Sequence, residues 1–421
     1  MKIAMLAGTH SGCGKTTVML ALLQYMNLQA HNPRPFKVGP DFLDPLWHKA
    51  VTAKASYNLD THMIGIDESR RLLNRCAESE GYALIEGVMG LFDGRSGVGE
   101  AGSSVDLASQ LAVPVILVVD AGGMSGSIVP LASGFCEFAQ KCGARIAGII
   151  ANRVGSEYHA RLLSESLLEY GLPPLLGWLS KDAPRLEERH LGLKIPESVN
   201  VPDFQDKLHM NAEHFEAAFS LYQPIQDNPA ELGVLQGKII AVAKDQACCF
   251  IYPANVDWLT EQGAKLVWFS PLAGEPVPAA DALWLPGGYP ELHVRQLAES
   301  ATLASIKTFI ETGKPVLAEC GGAMLLGQSL IDQQGKSWPM AEVLPFRSKM
   351  QNKLAALGYR QERSGMRGHE FHYSVRETDD ALVPCFETDV GDKGVCYKNL
   401  RASYVHWYFA SAPAAAKAWF T

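Results

Sequence analysis

The chain has 421 residues, of which 47% are hydrophobic and 19% charged, and its formal net charge is −8. This length predicts two or three domains, and the acidic balance disfavours nucleic acid as a partner. The nine cysteines include no CxxC pair, and no apolar run reaches the roughly 18–20 residues that span a membrane. We therefore expect no disulfide framework, zinc ribbon or membrane span. The first apolar run passes directly into a glycine-rich turn, which indicates a cytoplasmic protein without a signal peptide.

Both halves of the sequence alternate short apolar runs with longer helical patterns, which predicts an α/β fold with mostly parallel sheets flanked by helices. The predicted strands are Ile3–Ala7, Ala83–Glu86, Val115–Asp120 and Ile146–Ala151 in the first half, and Lys238–Ala243, Ala282–Leu285 and Pro315–Ala318 in the second. Between Tyr222 and Gly237 the periodicity is lost and two prolines occur. We predict one domain over residues 1–225, a linker over 226–236 and a second domain over 237–421.

A glycine-rich turn joins the first predicted strand to the apolar helical pattern Val18–Met26. Glycines let the backbone close around phosphate oxygens, and a helix N-terminus directs amide donors at them. We expect Lys15 to neutralise the β- and γ-phosphates of ATP and Thr16 to bind Mg²⁺. The alternative is a strand–helix turn that binds nothing. The predicted nucleotide contacts are Gly8, Thr9, Gly12, Gly14, Lys15, Thr16 and Thr17, together with Asn152, which ends a later strand and could instead only form a turn.

Acidic residues cluster in loops that we predict at the same sheet edge as this phosphate loop. The loops are Lys37–Pro45, Asn58–Asp60 and Glu86–Gly94. Because Mg²⁺ prefers oxygen ligands and usually takes only one or two carboxylates besides phosphate oxygens, we predict Thr16, Asp41 and Glu86 as its ligands. Asp44 and Asp93 lie farther along their loops and are predicted to face the substrate.

The second half places Cys320 at a sharp strand-to-helix turn within Pro315–Leu326. Such an elbow exposes a nucleophile, and the backbone N–H groups that follow favour a thiolate and an oxyanion. His406, on the short apolar run Tyr404–Phe409, is the candidate base, and His369 and His372 compete with it. The predicted oxyanion donors are the backbone amides of Gly288 and Gly321.

Seven motifs occur in an order that resembles the cobyrinate a,c-diamide synthases. They are KVGPDFLDP, NLD, EGVMGLFDG, LPGGYPEL, AECGGAM, GHEFHYS and SYVHWYF, and the resemblance runs from Gly8 to Phe409. The N-terminal half is similar to dethiobiotin synthetase, a P-loop NTPase-like fold, and the C-terminal half to a class I, triad-type glutamine amidotransferase. The resemblance implies ATP- and glutamine-dependent amidation of the a and c acetate carboxylates of cobyrinate or hydrogenobyrinate, through an acyl-phosphate, in cobalamin biosynthesis.

The same resemblance implies that Cys320 is the nucleophile, that His406 activates it, and that the acidic loops belong to the synthetase site. Tyr408 stands where ordinary class I glutaminases have a glutamate, so the third triad member stays open, with Glu370 as one candidate. The implied partners are a corrin-type tetrapyrrole, ATP with Mg²⁺, and glutamine, and a homodimer is compatible with the sequence.

Three other functions are compatible with parts of the pattern. The first is the same chemistry on another tetrapyrrole, such as a nickel sirohydrochlorin, or on cobyric acid. The second is a regulatory or partitioning P-loop ATPase fused to an inert amidotransferase-like domain, against which the intact Cys320 and His406 count. The third is a corrinoid-binding module without catalysis, which leaves the sequence Gly14-Lys15-Thr16-Thr17 unexplained.

Overall fold

The computed structural model describes residues 1–77, 81–95, 97, 99–186, 188–189, 192–193, 195–196, 200–224 and 233–421. The chain divides into two compact units, Met1–Asp227 and Asn228–Thr421. Most of the predicted linker, residues 226–232, lies outside the described residues, so its bounds stay a prediction. Among the described helices, none has the length and apolar character to cross a membrane.

The first unit is built on one large sheet. Its strands are β1 (Lys2–Gly8), β2 (Arg34–Val38), β3 (Tyr57–Leu59), β4 (Tyr82–Gly90), β5 (Val115–Asp120), β6 (Ile146–Val154), β7 (Leu175–Ser180), β10 (Leu208–Met210) and β11 (Ser220–Leu221), and β8 (Glu188–Arg189) and β9 (Gly192–Leu193) form a separate pair. Its helices are α1 (Lys15–Leu28), α2 (Leu43–Thr52), α3 (Ile66–Cys76), α4 (Ser104–Leu111), α5 (Ile128–Lys141), α6 (Glu157–Glu169) and α7 (Ala212–Ala217).

The strand order β10-β7-β6-β5-β1-β4-β2-β3 places β1 in the middle of this sheet. All neighbouring strands from β7 to β3 pair in parallel. The strand β10 pairs antiparallel with β7, and β11 pairs antiparallel with β1. The strands are buried between helices, which explains their nearly continuous apolar sequences. Because parallel strands end at one edge, the residues after β1, β2 and β4 are brought together there.

The second unit contains a mostly parallel sheet, a smaller mixed sheet and a smaller antiparallel sheet. Its strands are β12 (Ile239–Ala243), β13 (Lys265–Phe269), β14 (Ala282–Leu285), β15 (Val316–Glu319), β16 (Ser329–Ile331), β17 (Ser337–Pro339), β18 (Arg347–Met350), β19 (Ala356–Gln361), β20 (Arg367–His372), β21 (Ser374–Glu377), β22 (Val395–Tyr397), β23 (Leu400–Ser403) and β24 (Val405–Tyr408). Its helices are α8 (Pro253–Glu261), α9 (Val294–Ala298), α10 (Thr302–Glu311), α11 (Gly321–Met324) and α12 (Pro413–Phe420).

The main sheet of this unit has the order β13-β12-β14-β15-β23-β22, in which only β22 is antiparallel to its neighbour. The two other sheets have the orders β17-β16-β18-β21 and β19-β20-β24. The α/β prediction is confirmed, and Val115–Asp120 and Ala282–Leu285 have the predicted bounds. The strand predicted to end at Glu86 continues to Gly90, because this glycine pairs with Gly8 across a register shift.

Candidate functional site

The loop between β1 and α1 has the shape of a phosphate cradle. Gly12 and Gly14 have φ angles of 84° and 93°, a left-handed conformation that glycine adopts without steric cost. A Cβ at Gly8 would lie 2.9 Å from Cγ of Lys15, so the loop also closes tightly on its first residue. The first turn of α1 follows Gly14 directly, and its N–H groups have no helical acceptor. These donors are suited to an anion.

A cavity of about 1120 Å³ opens beside this loop. Of the predicted residues, it is lined by Gly12, Gly14, Lys15, Thr16, Thr17, Asp41, Asp44 and Asn152. Thr9 anchors the loop, since its N–H donates to the Val118 carbonyl at 3.2 Å. Lys15 is nearly buried, and this burial lowers its pKa. An anion in the cavity would favour the charged form of Lys15.

The charged or titratable side chains of Lys37, Asp44, His48 and Glu86 form a buried cluster under the cavity. Lys37 Nζ lies 2.6 Å from Asp44 Oδ2 and 3.5 Å from Glu86 Oε1. Glu86 also accepts the Thr16 hydroxyl at 2.7 Å, and its second oxygen lies 2.7 Å from His48 Nε2. Burial alone would raise the pKa of Glu86, but Lys37, His48 and the Thr16 hydroxyl lower it to about 2. Glu86 is therefore held as a carboxylate behind the phosphate loop.

Asp44 lies in the first turn of α2, where it is buried beside the phosphate loop. Its Oδ1 lies 3.4 Å from the Thr16 hydroxyl, and its Oδ2 forms the ion pair with Lys37. Asp44 also lines the phosphate cavity, whereas Asp93 does not. The predicted contact of Asp44 with the substrate stays a prediction.

Asp41 lies on the cavity and also shapes the start of α2. One carboxylate oxygen accepts the backbone N–H groups of Leu43 and Asp44 at 2.6 and 3.2 Å. Burial and the charge of Asp44 raise the pKa of Asp41 to about 7. The Asn58 amide holds the same loop by donating to the Gly39 and Asp41 carbonyls, at 2.7 Å in each case. The side chain of Asp41 thus has a structural task besides its predicted one.

The side chain of Asn152 supports the phosphate loop. Its amide nitrogen donates to the Cys13 carbonyl at 2.9 Å, and its oxygen accepts the Arg153 N–H at 2.8 Å. A Cβ at Gly14 would overlap the same amide. The guanidinium of Arg153 donates to the Gly12 carbonyl at 3.3 Å and pairs with Asp120. The predicted contact of Asn152 with the nucleotide stays a prediction, and its observed contacts position the loop.

The oxygen atoms around Thr16 fit a Mg²⁺ ion bound together with phosphate. Its hydroxyl meets carboxylate oxygens of Glu86 and Asp44, and Asp41 lines the same cavity. Within the described part of the chain, no three or more His, Cys, Asp and Glu side chains are arranged to hold a metal by themselves. A P-loop Mg²⁺ takes most of its ligands from phosphate and water. The donors present therefore fit Mg²⁺ with ATP.

Asp93 lies apart from the buried cluster. It follows β4, it is exposed, and its carboxylate accepts the Gly90 N–H at 2.7 Å. It lines a second cavity of about 370 Å³ together with Met89, Phe92 and Phe138. Only Met89 among these also lines the phosphate cavity. This placement agrees with a position on the substrate side, and the role of Asp93 stays a prediction.

In the second unit, Cys320 occupies the turn between β15 and α11. Its backbone has φ 46° and ψ −110°, a conformation that residues other than glycine rarely adopt. The Cys320 N–H donates to the Ser403 carbonyl at 2.7 Å, which fixes the elbow to the neighbouring strand. Burial and, to a smaller extent, the charge of Glu291 raise the pKa of the thiol to about 12. The resting side chain is therefore a thiol.

His406 lies against the same glycine turn as Cys320. A Cβ at Gly287 would be 3.0 Å from His406 Nδ1 and 3.2 Å from Cys320 Cβ, so both side chains border this residue. Burial lowers the pKa of His406 to about 3. The predicted oxyanion residues also meet, since a Cβ at Gly321 would lie 3.0 Å from the Gly288 nitrogen. A neutral imidazole can accept a proton from the thiol, so His406 stays the candidate base.

The register of the small sheet argues against Glu370 as the third triad member. His369 is opposite His406, whereas Glu370 is opposite Val405. Because neighbouring side chains of a strand point to opposite faces, Glu370 is directed away from the face of His406. Its oxygens lie 2.5 Å from Arg360 Nε and 2.8 Å from His372 Nε2. Glu370 is therefore part of a structural ion pair.

Comparison with known proteins was consistent for both units. Residues 4–204 match the CobQ/CobB/MinD/ParA nucleotide binding domain, and residues 239–414 match the CobB/CobQ-like glutamine amidotransferase domain. A cobyrinate a,c-diamide synthase of Herminiimonas arsenicoxydans is 39% identical, with 98% of this chain and 95% of that protein covered. The chain belongs to the cobyrinate a,c-diamide synthase family. A hydrogenobyrinate a,c-diamide synthase of Stutzerimonas stutzeri is 40% identical over 98% of this chain and 97% of that protein.

Membership of the cobyrinate a,c-diamide synthase family makes the chain a carbon–nitrogen ligase that uses ATP and takes its amido group from glutamine. The phosphate loop lies in the nucleotide-binding domain, and the Cys320 elbow lies in the glutamine amidotransferase domain. Sequence reasoning did not assign Lys37 and His48, which hold the buried carboxylates. The only available signal was the position of Lys37 at the end of a strand in the quoted KVGPDFLDP loop.

Proposed function

We propose that this enzyme amidates the a and c acetate carboxylates of cobyrinate or hydrogenobyrinate, with ATP, Mg²⁺ and glutamine. The observation that carries the proposal is the combination of two sites in one chain. One is a phosphate loop backed by the buried cluster of Lys37, Asp44 and Glu86. The other is a Cys320 elbow beside His406 and two glycine amides. The names of the relatives supply the substrate.

The synthetase step is an activation of the carboxylate. Hydroxide is a poor leaving group, so the carboxylate oxygen attacks the γ-phosphorus of ATP, ADP departs, and an acyl-phosphate forms. Lys15 and the N–H groups at the start of α1 stabilise charge on the phosphoryl oxygens. Thr16, with Asp44, Glu86 and Asp41, would hold Mg²⁺, which neutralises phosphate charge. Ammonia then attacks the acyl carbon and phosphate leaves.

The glutaminase step supplies this ammonia. As the Cys320 sulfur attacks the glutamine amide carbon, the neutral imidazole of His406 takes the thiol proton and passes it to the departing ammonia. The amides of Gly288 and Gly321 stabilise the oxyanion. Water then hydrolyses the glutamyl-thioester to glutamate. The proposal includes a cytoplasmic enzyme, domain bounds at residues 225 and 237, and no nucleic acid partner.

The substrate is tested with a panel of tetrapyrrole carboxylic acids, including cobyrinate, hydrogenobyrinate and nickel sirohydrochlorin, incubated with ATP, Mg²⁺ and glutamine. We expect product masses that correspond to two amidations of cobyrinate or hydrogenobyrinate. If only nickel sirohydrochlorin were amidated, it would be the substrate in place of cobyrinate or hydrogenobyrinate. Glutaminase activity without any amidation would contradict the proposal.

The division of labour is tested with Cys320→Ala and Lys15→Ala, and Cys248→Ala serves as the matched control. Cys320→Ala should lose amidation with glutamine and keep it with high ammonia, because the synthetase site needs only the nitrogen. Lys15→Ala should lose amidation with both nitrogen sources and keep basal glutaminase turnover. If a folded Cys320→Ala variant lost amidation with ammonia as well as with glutamine, the division of labour would be refuted.

A further inference from the structure

We propose that an apolar shelf beside the phosphate cavity receives one face of the macrocyclic substrate. The shelf consists of Met89, Phe92 and Phe138. Met89 follows Val88 near the end of β4 with 43% of its surface exposed, and Phe138 on α5 is 45% exposed. The rings of Phe92 and Phe138 meet edge to face, with centroids 4.8 Å apart. The shelf thus combines aromatic and aliphatic surface next to Asp93.

The shelf is continuous with the phosphate cavity through Met89. This residue lines both the 370 Å³ cavity and the 1120 Å³ cavity. Its φ angle of 48° lies in the left-handed region, which residues such as methionine rarely adopt. Met89 therefore presents exposed apolar surface at the junction of the two cavities. A ligand on the shelf can extend through this junction toward the phosphate loop.

The chemistry of the two cavities selects the ligand class. The shelf is apolar, while the neighbouring cavity is lined by five cations and two carboxylates, namely Lys15, Lys37, Arg153, Lys181, Arg185, Asp41 and Asp44. A molecule that matches both has a broad apolar face and carboxylates around its edge. A tetrapyrrole macrocycle has this distribution, and its acetate group would reach the site of phosphoryl transfer while its ring lies on Phe92 and Phe138. This inference rests on the proposed function and adds the orientation of the ring.

Two variants remove the shelf without touching the phosphate loop. Phe138→Ala deletes an exposed ring, and Met89→Gly deletes the side chain while its backbone conformation becomes unstrained. Leu168→Ala is the matched control, since Leu168 is 80% exposed on α6. Binding is measured by quenching of protein fluorescence with the tetrapyrrole acid that the wild type amidates, alongside KM values for that acid, ATP and glutamine.

Both shelf variants should weaken tetrapyrrole binding about tenfold or more and raise its KM by a similar factor. The KM values for ATP and glutamine should stay within about twofold of wild type, and Phe138→Leu should give an intermediate result. Unchanged tetrapyrrole affinity in both variants, or a rise in the KM for ATP instead, would overturn the proposal that the macrocycle binds to the shelf. If the wild type amidates no tetrapyrrole, the proposed function fails independently of the variants.

Discussion

Replacement of Lys37 by methionine tests whether the buried charges are mutually dependent. The ammonium contacts Asp44 at 2.6 Å, Glu86 at 3.5 Å and the Gly87 carbonyl at 2.9 Å, and only 3% of the side chain is exposed. Methionine fills similar space but leaves two buried carboxylates without their cation. Loss of one partner from a buried ion pair costs about 3–5 kcal/mol. This is a large part of a typical domain stability of roughly 5–15 kcal/mol.

The matched control is Lys15→Met, at the other buried lysine of the same cavity. Burial lowers the pKa of Lys15, so its charge is a cost in the folded protein, and we expect a change below about 1 kcal/mol. Asp44 and Glu86 raise the pKa of Lys37 above 10.5 against the effect of burial. The stabilisation by Lys37 is therefore complete below that pH and is lost only as pH rises through the higher folded-state value.

Unfolding in urea is monitored by hydrogen exchange. Peptides from β4 and α2 report on the first unit, and peptides from β15 report on the second. Lys37→Met should lower the free energy of unfolding of the first unit alone. Equal stability of the Lys37→Met and Lys15→Met variants would refute the reasoning, because it would show that the carboxylates do not need this cation.

Three further predictions concern single residues. Gly14→Ala should weaken ATP binding at least about tenfold in calorimetry, because φ is 93° and the new Cβ overlaps a neighbouring amide; Gly171→Ala, with φ 62° and open space, is the control. Iodoacetamide at pH 7.5 should modify Cys396 before Cys320, and peptide masses show the order. A hydrogen bond with another cysteine lowers the pKa of Cys396 to about 6, whereas the pKa of Cys320 is about 12. Burial raises the pKa of Glu319 to about 8, so the contribution of Glu319 to the unfolding free energy of the second unit should fall as pH rises from about 5 to 8, and the difference between the wild type and Glu319→Gln in urea titrations should fall with it.

The phosphate loop and the cysteine elbow could be predicted because their geometry is encoded locally. Gly12 and Gly14 supply left-handed conformations within a few residues of Lys15, and glycines follow Cys320 directly. The strand positions were also predictable, since buried parallel strands have continuous apolar sequences. The two smaller sheets of the second unit were not predicted, because their short strands of mixed polarity carry little periodic signal.

The partners of the acidic residues could not be predicted, because they depend on contacts between distant segments. Asp44 and Asp93 have the same local context, a carboxylate in a loop after a strand. Lys37 pairs with Asp44 only when β2 and α2 fold together, and this pairing holds Asp44 beside Thr16. In the same way, the contacts of Glu370 with Arg360 and His372, and its position opposite Val405, depend on the register of β19, β20 and β24. One residue of register reverses the direction of a side chain.

The buried charges at the phosphate loop are better explained by chemistry than by stability. Lys15 and Lys37 lie within electrostatic range of Asp44 and Glu86, so positive and negative groups are matched before ATP binds. Such buried pairs are often no more stabilising than apolar residues of similar volume. Their advantage is that the charges are already fixed where phosphoryl charge develops, so little reorganisation is needed during the reaction. Lys15 gains most from the ligand, because burial lowers its pKa and a bound phosphate favours its charged form. ATP should therefore stabilise the wild type more than it stabilises Lys15→Met, even if these two proteins are equally stable without nucleotide.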